Sequence, residues 1–128
     1  MSNILYIAAG GALGAILRYT VTGAVFKLIP GPFPWGTLVV NISGCLAIGV
    51  VWHLFEGFYI TPNMRLFLMV GFLGAYTTFS SFGLETINLL RGGEVGYALF
   101  YVLASNIIGI AAVYAGILVT RGITGLLR

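Results

Sequence analysis

The chain has 128 residues, 59% of them apolar and only 7% formally charged, against about 25% charged in a soluble domain. A domain this small leaves much of its surface in water, and so little charge cannot keep so much apolar surface dissolved. That excludes a soluble globular domain, and the same hydrophobicity excludes a disordered chain. The net charge of +3 is scattered without a Lys/Arg cluster, so there is no phosphate-binding face for nucleic acid. What remains is an integral membrane protein.

In chain order, the charges leave four apolar segments. The first covers residues 4–26 and is broken once, by Arg18, which lies toward its end and can snorkel to an interface. Met1-Ser2-Asn3 carries no basic residue, and the apolar stretch exceeds a typical signal-peptide core, so this segment reads as a span. Pro30-Gly31-Pro32-Phe33-Pro34 cannot continue a helix and makes a turn. The second segment covers residues 35–55, with His53 as its titratable group, and residues 57–63, with Pro62, make the next turn. The third covers residues 66–90 and contains Glu85; Arg91-Gly92-Gly93-Glu94 follows. The fourth covers residues 95–120 without a formal charge, and Arg121 opens a short basic tail. Each segment has about 20 residues or more, enough to cross roughly 30 Å of hydrocarbon as a helix. They are apolar on all sides rather than alternating, so helices are predicted instead of a β-barrel. The predicted fold is an all-α membrane protein, residues 1–128 forming one four-helix transmembrane domain.

The loops are too short for a soluble domain, so function must reside in the spans or at their mouths. One cysteine, Cys45, and one histidine, His53, exclude an intramolecular disulfide and a side-chain transition-metal site within the chain. There is no P-loop. His53 and Glu56 stand one helical turn apart near an interface, as a solvated pair would.

Charge balance bears on topology. Arg65, Arg121 and Arg128 fall on one membrane face, Lys27 and Arg91 on the other. Orientation normally follows the Lys/Arg excess, and three against two is almost none. Such a chain can insert both ways and pair as an antiparallel dimer, unless one or two charges still decide. The 19 glycines, about 15% of the chain against a usual value of about 7%, suit close helix packing in lipid.

Polar groups in hydrocarbon usually face a cavity, a pore or a partner helix. Those in the spans are Asn41 and Ser43, then Thr77, Thr78, Ser80 and Ser81, then Tyr101, Ser105 and Asn106. Most are hydrogen-bond donors, and donors beside a guanidinium suit an anion. Serine and threonine can equally bond their own i−4 carbonyls, and asparagine can lock helices together. The string Gly71-Phe-Leu-Gly-Ala-Tyr-Thr-Thr-Phe-Ser-Ser-Phe82 makes a poor uniform helix and predicts a break between about Gly71 and Phe79. Freed backbone groups at that depth are tolerated where protein buries them or a cavity solvates them. Phe79 and Phe82, three apart, share a helix face, and their positive ring edges flanked by serine hydroxyls can receive a small anion.

Four motifs carry a resemblance over the whole chain. They are Gly10-Gly11 through Arg18 and Tyr19; Pro34-Trp35-Gly36-Thr37 through Asn41 and Gly44; Gly71 through Phe82; and Tyr101 with Ser105. Together they resemble the Fluc fluoride channels, also called CrcB proteins. The resemblance implies a channel, not an enzyme, that exports cytoplasmic fluoride passively across the inner (plasma) membrane and so confers fluoride resistance. It implies a third helix broken at mid-membrane, an antiparallel dual-topology homodimer and two pores lined by both subunits. Phe79 and Phe82 match the pore phenylalanines and Asn41 the pore asparagine. Ser80 and Ser81 match the hydroxyl track, Tyr101 and Ser105 the fourth-helix pair, and Arg18 the vestibule arginine. Gly74 and Thr77 match positions whose backbone carbonyls, from both subunits, hold a structural sodium ion on the dimer axis. Ala75 and Tyr76 depart from the small or aliphatic residues expected between them. The alternatives are a small multidrug-type proton-coupled transporter, which needs an acid in the first span where this chain has Arg18, and a structural subunit without transport.

Overall fold

Four prolines, at 30, 32, 34 and 62, and the Gly92-Gly93 pair punctuate the apolar runs, and the backbone follows them. The computed structural model describes residues 2–126; Arg128, one of the charges counted above, lies outside the described residues. Helix α1 (Ser2–Leu28) is 27 residues long, about 40 Å at helical rise, and stops just short of Pro30. Helix α2 (Trp35–Gly57) starts after Pro34. At its far end the Phe58 amide donates to the Leu54 carbonyl, and the Arg65 guanidinium donates to the Phe55 carbonyl at 2.9 Å. Carbonyls that have run out of helical donors are thereby satisfied.

The third span is assembled from pieces. Thr61 caps α3 (Pro62–Arg65), with Pro62 at the first position, where its missing N–H costs no hydrogen bond. A π-helical stretch, Leu66–Leu73, runs into α4 (Gly74–Tyr76). Thr77 (φ −81°, ψ 157°) and Thr78 (φ −149°, ψ 116°) are extended, and α5 (Phe79–Arg91) begins after them. Gly93, at φ +79°, turns the chain into α6 (Val95–Leu126), which is 32 residues long. A positive φ of that size is one that a side chain rarely tolerates.

Among the described residues there are four helical spans long and apolar enough to cross a membrane, and no strand. The closest packing joins α2 to α6 and α1 to the π-helical stretch. Glycines make both contacts. A Cβ on Gly49 would strike the Val113 carbonyl, and one on Gly116 the Leu46 carbonyl. One on Gly71 would lie 2.6 Å from the Ile7 carbonyl. In lipid, helices associate by close packing, and glycine lets backbone meet backbone. The buried cluster gathers Phe33, Leu38, Leu89, Ala98, Tyr101 and Ala104, so the first loop, the starts of α2 and α6 and the end of α5 share one core.

Gly49→Ala is therefore expected to force α2 and α6 apart and to cost about 1–3 kcal/mol, the range for overpacking. Thermal unfolding in detergent measures it. Gly122→Ala, where a Cβ meets nothing within 4 Å, is the matched control and leaves the midpoint unchanged or slightly raised.

Candidate functional site

The two extended threonines organise the site, because their polar backbone groups must find partners outside the helix. A continuous helix would give the Thr78 amide to the Gly74 carbonyl. Instead it donates to Asn41 Oδ1 at 2.8 Å, and Asn41 Nδ2 donates back to the Thr78 carbonyl at 3.0 Å. The Asn41 side chain thus replaces a stretch of backbone and fixes α2 to the junction. Thr78 in turn caps α5: its Oγ1 accepts from the Ser81 amide at 3.2 Å and donates to Ser81 Oγ at 3.0 Å. Ser80 Oγ lies 3.3 Å from the same hydroxyl. On the other side, Arg18 Nε donates to the Ala75 carbonyl at 3.0 Å, tying α1 to α4.

Two pockets lie about this junction, and Thr78 lines both. The first, of about 300 Å³, brings together Asn41, Phe79, Phe82 and Ser105, with Cys45 and Asn106 beside them. The Phe79 and Phe82 ring centroids are 5.4 Å apart at 41°. Phe79 is 82% exposed, whereas Phe82 is packed 5.0 Å from the Tyr101 ring. Ser105 Oγ is buried and, among the described residues, has no hydrogen-bond partner. Other polar side chains of α5 and α6 behave otherwise: Thr86, Thr120 and Asn106 each bond a carbonyl four residues back. An unpartnered buried hydroxyl is costly, so its site calls for an acceptor.

The second pocket, of about 790 Å³, is lined by Arg18, Lys27, Thr37, Ser81 and Glu85 among others. Glu85 is half-buried, and both of its oxygens are taken: Thr37 Oγ1 donates to Oε1 and Tyr101 OH to Oε2, each at 2.7 Å. Tyr101 is fully buried at 0% exposure and lines neither of these two pockets. Its hydroxyl proton is committed to Glu85, and its ring supports Phe82. Ser80 is exposed and also lies outside both linings. The residues singled out from sequence are thus split. Asn41, Phe79, Phe82 and Ser105 meet in one pocket, Arg18 and Ser81 in the other, and Thr78 separates the two. Thr37 and Thr78 were not among the candidate site residues. The signals for them are Thr37 one turn before Asn41 on the same face of α2, and Thr78 in the capping position of α5.

Among the described residues no group of three or more His, Cys, Asp and Glu comes together. Backbone oxygen is the available ligand. The Gly74 carbonyl has lost its helical donor, the Thr78 amide, to Asn41. The Thr77 carbonyl has lost its own, the Ser81 amide, to Thr78 Oγ1. Two carbonyls released in this way suit a hard cation, which prefers oxygen.

The family described as "CrcB-like protein, Camphor Resistance (CrcB)" matches residues 5–117. A protein of Agrobacterium fabrum named "Fluoride-specific ion channel FluC" is 44% identical over 124 residues, 96% of this chain and 99% of its own length. A protein of the same name from Desulforapulum autotrophicum is 46% identical over 120 residues, 93% of this chain and 96% of its own length. One from Parabacteroides distasonis, named likewise, is 40% identical over the full length of both chains.

Proposed function

This chain belongs to the CrcB-like protein family, and on that premise we propose that it is a fluoride-selective passive channel exporting cytoplasmic fluoride across the inner (plasma) membrane. Its relatives named as fluoride-specific channels over nearly the whole length support the reading. The single observation in the molecule that carries it is Ser105: its buried hydroxyl has no partner among the described residues, and the residue lines a pocket together with Phe79, Phe82 and Asn41. A hydroxyl that ignores its own i−4 carbonyl is a donor reserved for something else. Asn41 keeps one Nδ2 proton after bonding Thr78, and the phenyl edges carry partial positive charge. Such a set replaces the hydration of a small anion and offers little to a cation.

The working unit is an antiparallel, dual-topology homodimer with the third helix broken at mid-membrane. Phe79, Phe82, Asn41, Ser80, Ser81 and Ser105 line its pores, and Arg18 sits at the vestibule; Tyr101, fully buried, stands behind them. Tyr101 contributes by holding Phe82 and Glu85 in place rather than by its own proton. Fluoride enters cells as neutral HF and ionises inside, where the bilayer retains it. An inside-negative potential, worth about 2.3 kcal/mol per charge per 100 mV, drives the anion out without further energy.

The carbonyls of Gly74 and Thr77 from both subunits hold a structural sodium ion, which supplies a fixed central charge. Exhaustive removal of sodium is expected to reduce both the dimer fraction and fluoride flux; if neither changed, the carbonyls would have no such role. Fluoride efflux from liposomes bearing the purified chain tests the function. Ser105→Ala is expected to slow it about tenfold, equivalent to about 1.4 kcal/mol on the barrier. Ser105→Thr, which keeps the hydroxyl, is expected to retain most of it. Wild type without efflux overturns the function, and Ser105→Ala with wild-type efflux overturns the donor role.

A further inference from the structure

We infer that Ser43 and Tyr76 form a positioning pair that sets the Gly74 and Thr77 carbonyls for the cation, an inference that rests on the sodium reading above. Tyr76 is the last residue of α4 and only 7% exposed. Its hydroxyl lies 2.8 Å from Ser43 Oγ, and Ser43 Oγ donates its own proton to the Val40 carbonyl at 3.0 Å. With the serine proton used, Tyr76 is the donor to Ser43. Its ring stacks on Phe72, at 6.2 Å and 6°.

This bond is the second rung between α2 and the junction. Asn41 holds Thr78 on one side of Thr77, and Ser43 holds Tyr76 on the other. Between the rungs, Gly44 has no Cβ because Thr77 Cγ2 occupies that space. Arg18 fixes the Ala75 carbonyl from the opposite side. Residues 75, 76 and 78 are therefore each held by a long-range hydrogen bond; the Gly74 carbonyl adjoins this fixed stretch and the Thr77 carbonyl lies within it. Release of Tyr76 lets the backbone relax toward a continuous helix, in which the Thr78 amide would return to the Gly74 carbonyl and remove a ligand. Ser43 is the partner that the nearly buried Tyr76 hydroxyl requires.

The test is the thermal unfolding midpoint of the purified protein in detergent, titrated with sodium chloride against N-methylglucamine chloride at constant ionic strength. A ligand bound by the folded state raises the midpoint with its concentration. Tyr76→Phe keeps the ring and leaves Ser43 bonded to Val40, so no buried group is stripped. It is expected to raise the sodium concentration for half effect roughly fivefold, the factor that one hydrogen bond commands. Ser43→Ala is expected to raise it equally. Its sodium-free midpoint falls further, because a buried tyrosine hydroxyl loses its partner. Combining both substitutions is expected to add nothing beyond either one. Saturating sodium is expected to restore fluoride flux to within about twofold of wild type.

A purely structural role would lower every midpoint without moving the half-effect concentration, and that result overturns the pairing. Additive shifts in the double variant overturn it as well. A wild type whose midpoint ignores sodium overturns the sodium reading itself and this inference with it. That outcome is distinct from normal half-effect concentrations in the variants beside a responsive wild type.

Discussion

Replacement of Phe79 or Phe82 by leucine is expected to reduce fluoride efflux by orders of magnitude while the protein still purifies normally. Leucine keeps an apolar side chain of roughly similar bulk but has no ring edge, so what disappears is the partial positive charge offered to the anion. A roughly hundredfold loss corresponds to about 2.7 kcal/mol on the permeation barrier. The two positions differ in their structural cost. Phe79 is 82% exposed within the chain and supports little of its packing. Phe82 packs against Tyr101 and the buried cluster, so Phe82→Leu also costs stability, on the order of 1 kcal/mol and below the usual 1.5 kcal/mol ceiling for such swaps. Equal losses of flux despite unequal losses of stability would identify the rings as part of the path. Tyrosine or methionine at these positions is expected to retain more flux than leucine. Normal conduction by the aliphatic variants would make the rings packing alone and move the anion path to the Asn41 and Ser81 side.

Three added C-terminal lysines are expected to leave the chain almost inactive when it is expressed alone. Lys27 and Arg91 on one face barely balance Arg65, Arg121 and Arg128 on the other, so a small charge change decides orientation. A population inserted one way cannot form an antiparallel dimer. Co-expression with a variant biased the opposite way, by lysines added to the first or third loop, is expected to restore flux to near the wild-type level. Protease accessibility of a terminal tag reports the orientation independently. Full activity of the singly biased chain would remove the antiparallel assembly from the proposal.

The four spans were legible because lipid demands long apolar helices, and hydropathy measures that demand directly. Helix ends were less so. Hydropathy closes the fourth span at Thr120, but α6 continues to Leu126, because nothing in Arg121 or Gly122 breaks a helix as proline does. The π-helical stretch Leu66–Leu73 has no sequence signature, since a run of large apolar residues suits α- and π-geometry alike. The donor-rich character of the site was readable from Asn41, Thr78, Ser81 and Ser105. How their protons are used was not. Asn41 could as well have faced a pore as locked a helix, and the structure shows both of its polar atoms bonded to Thr78. Tyr101 reads as a free donor in the sequence, but its proton goes to Glu85 on another helix. Such pairings depend on helix rotation and register, which a single sequence of uniformly apolar spans leaves open.

Fluoride and chloride efflux, recorded side by side from liposomes loaded with each salt and bearing the purified wild-type chain, test the central claim most directly. A fluoride channel empties the fluoride liposomes as soon as a potassium ionophore balances the charge. It leaves chloride inside, and it runs at the same rate with or without a pH gradient. No fluoride efflux, equal passage of chloride, or transport that appears only when a proton gradient is imposed would contradict it.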